Sequence, residues 1–185
     1  MLVDITTLDP SILLDIRYAT PHNFTGKVLY PIARCLLQKS VAEKIMLIQK
    51  DLSQKNLGLK IWDGYRPFSV QKILWRIMPD ERYIAKPVEK DGILIQGSHH
   101  NRGTAIDLTL VNNCLQELEM PSYFDEFSEK AHRNYSGHST VAFQNMKILE
   151  QIMVHYEFIP FSTEWWHFTD KDSLQYPLSD IPIQP

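Results

Sequence analysis

Apolar residues recur at three- and four-residue steps in two stretches of the chain, the period of a helix with one buried face. From Ser40 to Lys55 the stripe is Val41, Ile45, Ile48 and Leu52. From Thr140 to Tyr156 it is Val141, Ile148, Leu149, Ile152, Met153 and Tyr156, with Ser139 or Thr140 placed to cap the first turn. A shorter helix is predicted after Pro67, from Val70 to Met78, ending before Pro79, and Phe124 to His132 reads as a fourth. β-Branched and aromatic residues cluster at Gly58–Trp62, Thr104–Val111 and Glu164–Thr169, which predicts strands there. Helices and strands alternate without a regular βαβ repeat. The expected fold is therefore α+β, with helices flanking a mainly antiparallel sheet. Prolines are densest between Tyr176 and Pro185, a stretch expected to lie as an irregular strap over the surface.

Composition narrows the partners more than the fold. With 185 residues, no repeats and no low-complexity linker, the chain is expected to form one domain over 1–185. Nineteen basic and 22 acidic side chains leave a net charge of −3, which offers no electrostatic footprint for nucleic acid or an anionic membrane. No apolar run reaches the roughly 18–20 residues of a membrane span. The start, Met1-Leu2-Val3-Asp4-Ile5, has neither the basic flank nor the apolar core of a secretory signal, so the cytoplasm is the expected location. Cys35 and Cys114 match no metal knuckle and are expected as free thiols in a reducing compartment. Asn23 and Asn134 head glycosylation-type triplets, but a chain that is not secreted would not meet that machinery.

The densest chemistry lies in Gly97-Ser98-His99-His100-Asn101-Arg102-Gly103-Thr104-Ala105-Ile106-Asp107. A histidine from a loop and an aspartate from the following strand suit zinc, which takes nitrogen and oxygen ligands and in catalytic sites keeps one position for water. Asp107 sits among apolar neighbours, where a lone carboxylate is costly to bury and a cation would neutralise it. By spacing alone His99 serves as well as His100, and a turn with a solvated histidine and an exposed acid is the plainer alternative. A third ligand is sought in Ser162-Thr163-Glu164-Trp165-Trp166-His167-Phe168, where Glu164 and His167 interrupt an aromatic run. Residues three apart point to opposite faces of a flat strand, so the two converge only if the strand bends or bulges. In Asp63-Gly64-Tyr65-Arg66-Pro67 the arginine's fixed fork suits an oxyanion or a carboxylate, and a structural ion pair with Asp63 explains it equally well. His22, His132, His138 and His155 have no matching partner.

Taken together, these segments resemble one family, the VanX-type D-alanyl-D-alanine dipeptidases. These are zinc metallopeptidases akin to the zinc D-Ala-D-Ala carboxypeptidases and to the hedgehog signalling domain. The pattern Ser-x-His-x-x-Gly-x-Ala-x-Asp is met by Ser98, His100, Gly103, Ala105 and Asp107, which puts His100 rather than His99 at the ligand position. Glu-x-x-His is met by Glu164 and His167, and Tyr-Arg-Pro by Tyr65, Arg66 and Pro67. Asp15-Ile16-Arg17-Tyr18-Ala19-Thr20 with Asn23-Phe24-Thr25-Gly26, and Met120 to Phe127, resemble stretches of the dipeptidase branch. The match after Tyr30-Pro31, from Ile32 to Leu36, is loose, and the link from Asp107 to Asp125 is the chain's own.

The resemblance implies a single zinc dipeptidase domain that hydrolyses D-Ala-D-Ala, with one Zn2+ per chain held by His100, Asp107 and His167. Glu164 would be the general base and then the acid, and Arg66 would stabilise the oxyanion. Asp125 would pair with the dipeptide's ammonium, Tyr18 would line the same pocket, and Ser98 would act near the substrate's carboxyl end. A small dipeptide is the implied partner. The alternatives are a zinc D,D-carboxypeptidase or endopeptidase acting on peptidoglycan stems, and a non-catalytic module that keeps zinc for structure.

Overall fold

A computed structural model describes residues 1–184. Its centre is a five-stranded sheet in the order β2 (Leu13–Leu14), β4 (Leu57–Asp63), β7 (Ala105–Asn112), β9 (His167–Asp170), β8 (Phe158–Pro160). Only the β2–β4 pair is parallel, so the expected mainly antiparallel α+β domain is the observed one. Two small antiparallel pairs flank it, β1 (Leu2–Asp4) with β3 (Leu36–Gln38), and β5 (Val88–Lys90) with β6 (Ile93–Gln96).

Helix α1 (Lys39–Ser53) lies against β4, and α3 (Thr140–His155) against β7 and β8. Val41, Ile45, Ile48 and Leu52 are all buried, as the period of α1 requires. In α3 the buried stripe is Ala142, Met146, Leu149 and Met153, while Val141 and Ile148 of the expected stripe are exposed. That helix is apolar on more than one face, so its sequence could not choose the inward one; contact with the sheet did. The Ser139 hydroxyl accepts a hydrogen bond from Ala142 N at 3.0 Å and fixes the start of α3. Helix α2 (Phe68–Ile77) begins directly after Pro67, two residues earlier than its apolar pattern suggests.

Two expectations need correction. Phe124–His132 is not a helix: Asp125 takes a left-handed φ of 58°, which breaks any helical run, and only a 3-10 turn at Glu129–Ala131 remains. The third strand starts at His167 rather than Glu164, because residues 164–167 form a turn closed by His167 N donating to Glu164 O at 3.2 Å.

The strand register sets up the site. Ile61 faces Leu108 across the sheet, yet Asp63 faces Asp107, so two residues of β4 oppose one of β7 and a bulge falls at Trp62. Without it Asp63 would stand opposite Ile106; with it both carboxylates share one face. The other face, carrying Leu59, Ile61, Leu108 and Leu110, joins the core with Ile45, Ile48, Leu149 and Met153. The tail crosses the molecule without regular structure: Phe68 N bonds to Ser179 O, Tyr65 Oη to Ile181 O, and Ile183 is buried. Its last residue, Pro185, lies outside the described residues. Both cysteines are free thiols, Cys35 buried and Cys114 exposed. Among the described residues no helix is long and apolar enough to cross a membrane.

Candidate metal centre and active site

His100, Asp107 and His167 meet at one point: a ligand atom from each lies within 4.8 Å of the other two. His100 comes from a 3-10 turn whose cap is Ser98. The Ser98 Oγ accepts from His100 N at 3.2 Å, the Asn101 side chain accepts from Ser98 N at 2.8 Å, and Gly103 closes the turn at φ 69°. A side chain at Gly103 would also collide with Leu2 and approach Gln38 N, so glycine is required twice over. Asp107 projects from β7 and His167 from the paired position on β9.

The second nitrogen of each imidazole is anchored. His100 Nδ1–H donates to Gly64 O at 2.7 Å, leaving a bare Nε2 lone pair 3.3 Å from Asp107 Oδ2 and 3.2 Å from His167 Nδ1. His167 Nε2 lies 3.2 Å from Thr169 Oγ1, and its Nδ1 lies 2.9 Å from Asp107 Oδ1. With the His167 proton on Nε2, three lone-pair atoms face one another with none between them. A divalent cation satisfies that donor set, and both histidines already have the outer hydrogen bonds that metal-bound imidazoles require. Burial pushes the Asp107 carboxyl upward, but positive charge on the facing side, here protons on the two imidazoles, overcomes it and holds the group well below the usual carboxylate range. His99 turns aside from this cluster, and its Nδ1 meets Ser173 Oγ at 2.6 Å.

A cavity of about 410 Å³ opens over this triad and is lined by Tyr18, Arg66, Ser98, Asp125 and Glu164 as well as His100, Asp107 and His167. Glu164 Oε2 lies 3.9 Å from His167 Nδ1. The turn at 164–167 makes that possible and removes the objection that residues three apart diverge on a flat strand. Burial, then the negative charges of Asp107 and Asp125, push the Glu164 carboxyl well above its ordinary range. Asp125 is pushed up to about 7, by burial first and Asp107 second, while Tyr18 Oη donates to its Oδ2 at 3.1 Å.

Arg66 makes the structural ion pair with Asp63 that its sequence allowed. Its Nε and Nη2 donate to Asp63 Oδ2 at 3.1 and 2.8 Å, and its Nη1 donates to Gln71 Oε1 at 2.9 Å. Three of five N–H donors are thus fixed structurally and two remain. Asp63 is fully buried and also accepts from Tyr30 Oη at 2.8 Å and Gly64 N at 2.9 Å. Asp63 thereby orients the arginine that shares its loop.

Sequence reasoning missed three supports. Gln71 received no role, although α2 carries it one turn past Arg66. Asn23 looked like a glycosylation triplet; its amide instead donates to Arg17 O, Thr20 O and Lys27 O at 3.1, 2.7 and 2.9 Å, holding the loop that presents Tyr18. Arg133 donates to Phe161 O at 2.8 Å and Trp165 O at 2.7 Å, pairs with Glu150 at 3.1 Å, and stacks over Phe168 with 4.5 Å to the ring centroid. It clamps the turn between Glu164 and His167 from behind. Arg133→Ala is expected to cost roughly 2–4 kcal/mol, because carbonyls buried under the guanidinium lose a charged donor. Urea unfolding measures that loss, and a fall below 1 kcal/mol would show the clamp to be dispensable.

Fold and cavity together describe a compact hydrolase-type domain whose chemistry gathers at one edge of an antiparallel sheet around a two-histidine, one-aspartate centre. The family profile described as D-ala-D-ala dipeptidase, Peptidase_M15, matches residues 1–182, and the chain belongs to that family. It is 37% identical over 180 residues to the D-alanyl-D-alanine dipeptidase of Escherichia coli strain K12, covering 96% of this chain and 88% of that protein. It is 33% identical to the enzyme of that name from Enterococcus faecium, covering 92% of each chain. The namesake in Enterococcus faecalis is 34% identical over 83% of both.

Proposed function

We propose that the whole chain acts as one zinc dipeptidase domain that hydrolyses D-alanyl-D-alanine to two molecules of D-alanine. The observation that carries this reading is the meeting, in one cavity, of the metal-competent triad with a carboxyl of raised pKa, a half-free arginine and a buried aspartate.

His100, Asp107 and His167 would hold the ion. A bound zinc supplies positive charge and acidifies a water from a pKa of about 15.7 to roughly 7. Glu164 takes the proton released as the water oxygen bonds to the scissile carbonyl carbon. It returns that proton to the amide nitrogen as the C–N bond breaks. The two uncommitted N–H groups of Arg66 are suited to the carbonyl oxygen as it gains negative charge. Asp125, with Tyr18 beside it, receives the substrate's ammonium, and Ser98 is assigned to the carboxyl end. An acylated amino terminus would leave Asp125 buried without a counter-charge, so free dipeptides are preferred over longer stems.

The test is metal analysis of the purified protein coupled to alanine release from L,L-, D,D- and mixed dipeptides and from a tripeptide ending in D-Ala-D-Ala. One zinc per chain is expected, with D-Ala-D-Ala cleaved fastest, activity lost to a chelator, and both metal and activity lost in His167→Ala. A protein that takes up no zinc, or that prefers the tripeptide, overturns the reading. The cytoplasmic location belongs to the same proposal and is checked by fractionation.

A further inference from the structure

His99 stands apart from the metal cluster, yet it lines the catalytic cavity, and the hydrogen bonds around it decide what it offers there. Its Nδ1 lies 2.6 Å from Ser173 Oγ, and that oxygen lies 2.5 Å from Thr104 Oγ1. An N–H···O bond seldom falls below about 2.7 Å, whereas a hydroxyl donor reaches about 2.5 Å. Ser173 therefore donates to the His99 nitrogen and accepts from Thr104, which uses each hydroxyl proton once. Thr104 Oγ1 lies farther from its other acceptor, His99 O, at 3.2 Å. Both hydroxyl residues are buried, so solvent does not compete for these protons. The ring proton of His99 is thereby placed on Nε2. Nε2 has no partner among the described residues and is not one of the buried polar atoms, so it stands as an accessible N–H donor. Ser98 adds a second donor to the same cavity. Its Oγ accepts from His100 N at 3.2 Å, which leaves the hydroxyl proton uncommitted.

These donors and Asp125 lie on opposite sides of His167. Asp125 belongs with Glu164, since the adjacent Phe124 packs on Trp166 with centroids 5.6 Å apart. His99 belongs with the other end of β9, where Asp170 N donates to Thr104 O at 2.8 Å and Ser173 follows. The charges lining that end are already matched. Lys171 is paired with Glu157, and Asp170 is neutralised by Lys44 at 2.7 Å. An acceptor entering there meets neutral donors rather than a free cation or a free acid.

We propose that His99 is a specificity-determining residue whose Nε2–H, with the Ser98 hydroxyl, binds the terminal carboxylate of the leaving amino acid. Ser173 and Thr104 are positioning residues that hold the imidazole in the donating tautomer. This rests on the dipeptidase reading and adds the recognition of the substrate's second charge. Asp125 and His99 then measure the two ends of a zwitterion. A substrate amidated or prolonged at its carboxyl end loses the ionic acceptor that makes such hydrogen bonds strong.

Two measurements test the assignment, and the first needs no turnover. In metal-loaded protein carrying isotopically labelled histidine, NMR should find the His99 ring proton on Nε2. D-Alanine should shift that nitrogen saturably, and D-alaninamide should bind about tenfold or more weaker, the worth of the ionic acceptor. A proton on Nδ1, or a His99 signal unmoved by D-alanine, overturns the site whether or not the protein cleaves D-Ala-D-Ala. The second compares D-Ala-D-Ala with D-Ala-D-alaninamide as substrates. His99→Phe should raise KM for D-Ala-D-Ala about tenfold to a hundredfold, with the loss on KM rather than kcat, and bring the preference over the amide toward unity. His99→Gln keeps an N–H donor and should restore part of that preference. Ser173→Ala keeps the ring but releases its tautomer, and should raise the same KM about threefold to tenfold. An unchanged preference in His99→Phe, or a loss carried by kcat, overturns the proposal. If His99→Phe fails to retain the metal, Ser173→Ala decides, and an unchanged KM there overturns it. Failure of the dipeptidase reading looks different: wild-type protein cleaves neither substrate, while the D-alanine titration still reports on His99.

Discussion

Glu164→Gln is expected to lower kcat for D-Ala-D-Ala by roughly 10²–10⁴-fold while zinc content stays at the wild-type level, since a positioned general base contributes about that much. The metal should survive because His100, Asp107 and His167 keep their ligand atoms and their outer hydrogen bonds to Gly64 and Thr169. KM should change little, as Glu164 acts on the water and the leaving amine rather than on the substrate's ends. A variant that keeps wild-type turnover removes Glu164 from the chemistry; one that loses zinc makes it part of the metal-binding set instead. The same substitution carries an opposite signature in stability. The folded-state pKa of Glu164 lies above its unfolded value, because burial and two neighbouring carboxylates oppose ionisation. As pH rises through the ordinary glutamate range the unfolded chain releases its proton first, so the folded state loses stability. Glutamine cannot ionise, so the metal-free variant should melt higher than the metal-free wild type at neutral pH and equal to it near pH 4. Calorimetry at the two pH values checks the sign.

Glu164 also shows how far the sequence could be read. Its pairing with His167 was visible in the spacing, but as an extended strand the stretch would have thrown the two side chains apart. The turn that unites them is held by Arg133, which lies outside every motif and acts through backbone carbonyls. No side-chain pattern announces such a contact. The bulge at Trp62 was hidden for a related reason: alternation along β4 is regular, and only the register against β7 reveals the extra residue. Helix α1 was legible because its apolar stripe is single, whereas α3 offered two faces and the sheet chose between them. The hairpin of β5 and β6 was legible and overlooked. Asp91-Gly92 is a strong two-residue turn signal, and both take the positive φ it demands, 52° and 77°. The stretch from Phe124 to His132 misled because Phe124 and Phe127 mimic a helical face. They instead pack toward Trp62 and Phe24 from an irregular loop whose left-handed residue is Asp125.

That left-handed conformation decides how Asp125 should be tested. Asparagine tolerates positive φ nearly as well as aspartate and keeps the acceptor that meets Tyr18 Oη, whereas alanine would add backbone strain to the loss of charge. Asp125→Asn is therefore expected to keep the fold and the zinc and to reduce kcat/KM for D-Ala-D-Ala by roughly 10²–10³-fold. Removing one partner of a buried ion pair costs about 3–5 kcal/mol, and part of that is recovered here by the retained hydrogen bond. Selectivity should collapse along with the rate, because N-acetyl-D-Ala-D-Ala no longer meets an uncompensated carboxylate, and the ratio of free to acylated substrate should fall toward unity. The pH profile supplies a second readout. With its carboxyl pushed up to about 7, Asp125 is only partly ionised at pH 6 and is competent to bind an ammonium above pH 7. The substrate's amino group stays protonated to about pH 8. KM for the free dipeptide should thus fall as pH rises from 6 to 8 in the wild type and lie flat over that window in Asp125→Asn. An Asp125→Asn enzyme with unchanged selectivity and an unchanged KM profile would remove this carboxylate from the ammonium site and leave dipeptide preference to be explained by the cavity walls alone.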